Sequence, residues 1–357
     1  MKNSASNTRS ALPGLGIAIA IAVVATVIGR LFPILGSAMP AIVIGVLIAI
    51  FVKRPASWAP GLKFASKMVL QVAVVVLGTQ LSLRQVAEVG VESFPVMIST
   101  LVVCLLAAWL LGRAMKIDAD LNVLIGVGTA ICGASAIAAV SPVVKARNEA
   151  IAYAISTIFL FNVLAVLIFP WLGHALGLTQ HEFGLFAGTA VNDTSSVVAT
   201  AGIYGSAALS FAVVVKLVRT LMIIPISLGL AALEARKEAG SLGVGSLEAT
   251  AGSQGSGAAP RISLMGALKL IPWFLIGFLL ASVLRSVGLV PDAAQAPLAQ
   301  VAMFFISTAM AAIGLSTDVA GFRKAGLRPL ALGGLLWIIV TATALGAIFL
   351  MRLSAAA

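Results

Sequence analysis

Gly128-Thr129-Ala130-Ile131-Cys132-Gly133-Ala134-Ser135-Ala136-Ile137 returns, roughly sixty residues on, as Gly188-Thr189-Ala190-Val191-Asn192-Asp193-Thr194-Ser195-Ser196-Val197. Each copy is a run of small and hydroxyl residues inside an apolar segment of about 20 residues, the length of a membrane span. Gly, Ser and Thr make a poor hydrophobic helix core. They suit a helix that breaks in mid-membrane and turns its backbone groups toward a cavity, and paired breaks of this kind mark the binding sites of secondary transporters. The plainer alternative is close packing of helices through small residues. Asp193 weighs against it, because a charge in mid-span is costly without a use.

The surrounding composition fits that reading. Hydrophobic residues make up 61% of the 357 residues, charged residues only 10%, and the mean hydropathy is +1.12. Such a chain is an all-α polytopic membrane protein, and residues 1–357 read as one integral membrane domain. The net charge of +11 is not a nucleic-acid footprint, since Lys and Arg sit mostly in short connections between spans, where they set orientation. Cys104 and Cys132 both fall in apolar segments and imply no disulfide framework.

Apolar runs near residues 15–28, 34–52, 64–83, 94–111, 151–171, 207–233, 264–287, 298–315 and 330–351 predict nine full spans. The two repeat copies add segments at 121–147 and 183–205. A Gly/Ser/Ala-rich stretch at 235–262 reads as a flexible cytoplasmic linker. Charge decides how the copies lie. If both cross the membrane, Lys145 and Arg147 fall outside and the connection at 172–182, with no Lys or Arg, falls inside, against the positive-inside rule. If each dips in and returns, every basic cluster is cytoplasmic, with the N-terminus inside and the C-terminus external. Charge therefore favours re-entrant hairpins over crossing broken helices. One span separates the copies, so their tips would enter from opposite faces, an inverted-repeat architecture. Leu81-Ser82-Leu83-Arg84 and Leu315-Ser316-Thr317-Asp318 are a second, weaker internal match.

Asp193, Lys216 and Arg219 are the ionisable residues deepest in apolar sequence. Lys216 and Arg219 are three apart and share a helix face. Two cations facing one anion leave surplus positive charge, which suits an anionic substrate, and Arg offers a planar fork to an oxyanion. Thr129, Cys132, Gly133, Ser135, Thr189, Asn192, Thr194, Ser195 and Ser196 complete the candidate substrate site at the tips. Asn162, midway between the copies, is a secondary candidate, with helix–helix bonding as its simpler role. Glu88, Glu92, His174 and His181 read as loop residues. No HExxH, P-loop, GxSxG or zinc-spaced Cys/His cluster occurs, so neither enzyme chemistry, a metal nor a cofactor is expected.

At these residues the sequence resembles the YeiH-like sulfate exporter family of bacterial inner-membrane proteins. The segments that carry the resemblance are GTAICGASAIAA (128–139), NDTSSVVA (192–199), VKLVRT (215–220) and GLSTDV (314–319), and it covers essentially the whole chain. It implies export of sulfate or small sulfonates by an elevator-like cycle. The expected partners are therefore a small anion, a coupling H⁺ or Na⁺, and membrane lipid, with a homodimer admitted and nucleic acid excluded. Two rival readings are a Na⁺- or H⁺-coupled importer of an organic anion and, from another class, a channel or membrane-embedded enzyme. On the first reading Arg219→Ala should abolish transport in a protein that still folds.

Overall fold

The structure, a computed structural model, describes residues 3–32, 36–52, 55–242, 273–316 and 327–356. All regular structure among them is helical, as a chain that must satisfy its backbone inside lipid requires. Helix α1 is Asn3–Leu31, α2 Ala38–Phe51, α3 Ala56–Gln80 and α4 Leu83–Ala114. The first repeat copy forms α5, Ala119–Ala130, and α6, Ala134–Val140. Helix α7, Asn148–Ala175, leads to the second copy, α8, Gln180–Ala190, and α9, Thr194–Tyr204. The chain continues through α10, Ser206–Thr220, α11, Ile223–Leu242, α12, Trp273–Ser286, α13, Asp292–Ser316, and α14, Leu327–Ala356.

Among the described residues, seven helical stretches are long and apolar enough to cross a membrane: α1, α3, α4, α7, α10 with the start of α11, α13 and α14. Of the two remaining runs expected as spans, 34–52 gives the shorter apolar helix α2, and the described part of 264–287 is helix α12, with residues 264–272 outside the described residues. The stretch expected as a linker begins as helix, since α11 continues to Leu242; residues 243–262 lie outside the described residues, as do Thr317 and Asp318. The charges read as loop residues belong to helices instead. Glu88 and Glu92 lie on α4, which starts early because Ser82 and Gln85 cap it reciprocally. His174 lies on α7 and stacks on Tyr204; His181 lies on α8, against Phe211 and 3.2 Å from Glu92.

The helices pack as two bundles. In the first, α1, α2 and α3 surround α13, and α12 packs on the C-terminal part of α3. Its tightest crossing sets Gly45 of α2 against Gly314 of α13. A Cβ on Gly45 would lie 2.6 Å from the Ala311 carbonyl oxygen, and one on Gly314 2.5 Å from that of Ile42, so only glycine lets these backbones touch. The second bundle gathers α4, both repeat copies, α7, α10 and α14. Between the bundles runs a seam, with α2, α3, α12 and α13 on one side and α4, both repeat copies and α10 on the other.

Candidate functional site

Each repeat copy is a pair of short helices joined at a three-residue break, and the two ends of each pair lie together. In the first, the Arg147 guanidinium bonds Asp118 at 2.6 Å and Asp120 at 3.3 Å, closing the mouth of the segment. Gly128 and Ile137, one on each arm, face each other across it. In the second, Oε1 of Gln180 accepts the backbone N–H groups of Ala207 and Ala208 at 3.1 and 3.3 Å, and the Tyr204 hydroxyl donates to the Leu178 carbonyl. Both copies are therefore helical hairpins. They open at opposite ends of α7, which at 28 residues is about 42 Å long.

The tips meet halfway along that helix. Residues Ile131, Cys132 and Gly133 form the first break. Gly133 has φ +67° and ψ −129°, a conformation that L side chains rarely adopt, and a Cβ there would lie 3.5 Å from that of Asp193. Residues Val191, Asn192 and Asp193 form the second break. The backbone N–H groups of Asn192 and Asp193 donate to Oδ1 of Asn162 at 3.1 and 3.4 Å. Asn162 thus holds the second tip, the simpler of the two roles read for it from sequence. Asp193 caps α9: its carboxylate accepts the Ser195 N–H at 3.0 Å and the Ser195 hydroxyl as well.

Lys216 and Arg219 are fully buried on α10, between the two tips. Their partners are main-chain carbonyls. The Lys216 ammonium donates to the carbonyls of Ile131 and Val191, each at 2.8 Å. Arg219 donates through Nε to the Ala130 carbonyl at 2.7 Å and through Nη1 to that of Thr189. All four oxygens belong to the C-terminal ends of α5 and α8, where the helix dipole leaves negative potential that a cation relieves. Neither cation forms a salt bridge with Asp193 among the described residues. The surplus positive charge read from sequence is thus met by backbone.

Open space lies on the other side of the tips, at the seam. A cavity of about 400 Å³ is lined there by Ala134, Ser135, Ala138, Asp193, Thr194 and Ser195 from the hairpins, facing Ser66, Lys67, Gln71 and Phe274 from the first bundle. Helix α3 bulges into a π turn over Ala65–Val69 at this level, and that turn presents Ser66 and Lys67. Gln71 is steadied by the Trp273 indole N–H at 3.0 Å. A second cavity, about 410 Å³, lies further along the same seam, between Leu77, Gln80, Leu81 and Met303 on one side and Val89, His181, Ser206 and Ser210 on the other.

The residues expected at the site therefore divide. Ser135, Asp193, Thr194 and Ser195 line the cavity. Asn192 and Gly133 shape the tips. Thr129, Cys132, Thr189 and Ser196 are buried among the hairpin helices, and the Thr189 hydroxyl is already committed to the carbonyls of Leu185 and Phe186. Lys67 and Gln71 were not among the expected residues. Their signal is a polar pair at i and i+4 inside the apolar run 64–83, which puts both on one helix face. Among the described residues no group of three or more His, Cys, Asp or Glu side chains is gathered to hold a metal ion.

The chain matches the family described as conserved hypothetical protein 698 over residues 13–333. It is 42% identical over 339 residues to the UPF0324 membrane protein of Streptococcus pyogenes serotype M3, covering 94% of this chain and 95% of that one. It is similar to the UPF0324 membrane proteins of Streptococcus mutans, at 43% identity over 343 residues, and of Fusobacterium nucleatum, at 38% over 355 residues, each covering 94% of this chain and 96% of the relative. No solved structure matches it. Paired hairpins at the centre of a helical membrane protein, with matches along nearly the whole length, lead to one assignment: the chain belongs to the conserved hypothetical protein 698, or YeiH, family of UPF0324 membrane proteins.

Proposed function

We propose that this membrane protein is a secondary carrier for a small oxyanion such as sulfate or a sulfonate. It binds its substrate at the hairpin tips and passes it outward across the bacterial inner membrane, N-terminus cytoplasmic. The observation that carries the reading is the cavity of about 400 Å³ in which hydroxyls of both tips face a lysine of the opposite bundle. The Ser135, Thr194 and Ser195 hydroxyls are donors of the kind an oxyanion needs, and the first turn of α9 adds the positive end of a helix dipole. Lys67 supplies the compensating charge and Gln71 a further amide. Asp193 beside them is a carboxylate that can carry a proton in exchange for the anion.

The seam suggests the cycle. A site shared by two bundles changes access when one slides along the other, and the two cavities lie at successive levels of that seam. The antiparallel disposition of the hairpins supports an inverted repeat, and with it an elevator-like movement of the second bundle.

Counterflow in proteoliposomes tests the reading. Labelled sulfate is exchanged against unlabelled sulfate, sulfite, thiosulfate, taurine, sulfolactate and dicarboxylates, with and without a pH gradient. Exchange with sulfate or a sulfonate is expected. Folded protein that exchanges none of these anions would overturn the proposal.

A further inference from the structure

We infer that the Lys216 ammonium and Arg219 guanidinium are resident cations occupying the carbonyl cage that a coupling sodium ion would otherwise use, so that this carrier operates without sodium. The inference deepens the carrier reading and concerns its coupling ion.

A broken membrane helix leaves carbonyls without intrahelical partners, and in hydrocarbon each needs one. Carriers built on unwound helices commonly satisfy such carbonyls with Na⁺, which binds among the exposed oxygens and the C-terminal ends of half-helices. Here the same class of oxygen is gathered from both hairpins: Ala130 and Ile131 from the first, Thr189 and Val191 from the second. Every one of the four receives a hydrogen bond from a side chain of α10. Lys216 bridges one carbonyl of each tip, and so does Arg219. Both side chains are fully buried, so no solvent competes for those oxygens.

A second positive charge has no reason to enter. A sodium ion among these four oxygens would lie within a few ångströms of the Lys216 ammonium and would have to displace its hydrogen bonds. The covalent cations thus do permanently what a bound ion does transiently: they neutralise the two dipole ends and tie the tips together. What remains for coupling is a proton on a cavity-facing group, or plain anion exchange.

The test removes the resident cation and asks whether sodium takes its place. Purified wild type, Lys216→Ser and Arg219→Gln are melted in detergent in sodium chloride and in choline chloride of equal ionic strength. The wild-type midpoint should be the same in both salts. Each variant should melt lower in choline and recover by a few degrees in sodium, because a ligand that binds only the folded state raises its midpoint. A wild-type midpoint raised by sodium overturns the inference, and so does a folded variant that responds to neither salt. Should both variants fail to fold, the wild type still decides, and Lys216→Arg, which keeps a cation in the cage, should show no sodium response. Counterflow runs alongside. Wild-type exchange should proceed at equal rates in sodium and choline, and a sodium requirement would sink the inference. The melting measurements hold even if none of the anions tested is carried, so failure of the substrate reading and failure of this one are separable.

Discussion

Lys67 faces the cavity from the side opposite the hairpins, and none of the described residues bonds its ammonium. Its value to an anion is one charge-assisted hydrogen bond, about 1.5–3 kcal/mol when well made and less at an exposed position. Lys67→Gln should therefore raise the KM for the anion about tenfold, the low end of that range, while the melting midpoint stays near wild type. Lys67→Arg should recover most of the loss. An unchanged KM in Lys67→Gln would move the anion away from α3. Arg219 invites the contrary prediction. Read from sequence it is a substrate ligand, whose removal leaves a folded, inactive protein. In the structure its loss strands the buried carbonyls of Ala130 and Thr189, at about 1–3 kcal/mol each. Arg219→Ala should then lower the melting midpoint markedly as well as stop transport, and a midpoint equal to wild type would restore the ligand role. The difference between the two residues shows what a sequence hides. Backbone carbonyls have no letter, so a buried cation that serves them looks like one awaiting an anion. Lys67 is obscured for a different reason: it stands at the edge of a basic stretch and counts with the loop charges, although α3 has already begun at Ala56.

The hairpins show how far element structure is legible. Their breaks fall within the two small-residue runs, because Gly133 supplies a backbone conformation other residues resist and Asp193 supplies a cap that restarts the helix. The span-length apolar runs likewise announce most of the long helices. Boundaries are less legible. Helix α4 begins eleven residues before the apolar run it contains, at Leu83 rather than Phe94, since a reciprocal Ser82–Gln85 cap needs only two polar residues. The contacts that close each hairpin, Arg147 to Asp118 and Gln180 to α10, join residues about 30 apart and leave no periodic trace. The first break makes a sharp prediction. Gly133→Ala forces a Cβ into φ +67° and ψ −129°, at a cost of about 1–3 kcal/mol that comes from the backbone, since the Cβ itself would meet Asp193 and Ile158 at ordinary contact distance. Melting should fall accordingly and exchange should slow. The neighbouring substitution Ala134→Ser, on a residue already in helical geometry, should leave the midpoint unchanged. Equal stability of Gly133→Ala and wild type would mean that the break is not held as described.

At the scale of the molecule the open question is whether the seam moves. A channel needs a continuous path and fixed walls, whereas a carrier needs one bundle to travel past the other. The second cavity offers a place to stop that travel without touching the tips. Leu81 lines it from the first bundle and Ser210 from α10 of the second. The native thiols, Cys104 and Cys132, are both buried, so a Leu81→Cys, Ser210→Cys protein can be labelled at the introduced pair. Before treatment this double variant should exchange anion at close to the wild-type rate. A bifunctional thiol reagent that spans the cavity should then abolish exchange, a reducible linker should allow reductant to restore it, and either single cysteine treated alone should keep its activity. The Gly45–Gly314 crossing gives the contrasting control, because it lies wholly within the first bundle. A cysteine pair flanking it, linked in the same way, should leave transport intact if that bundle moves as a unit. Exchange that persists across the linked seam would mean that the anion passes between stationary walls, and the sliding cycle would have to be abandoned even though the site at the tips remained.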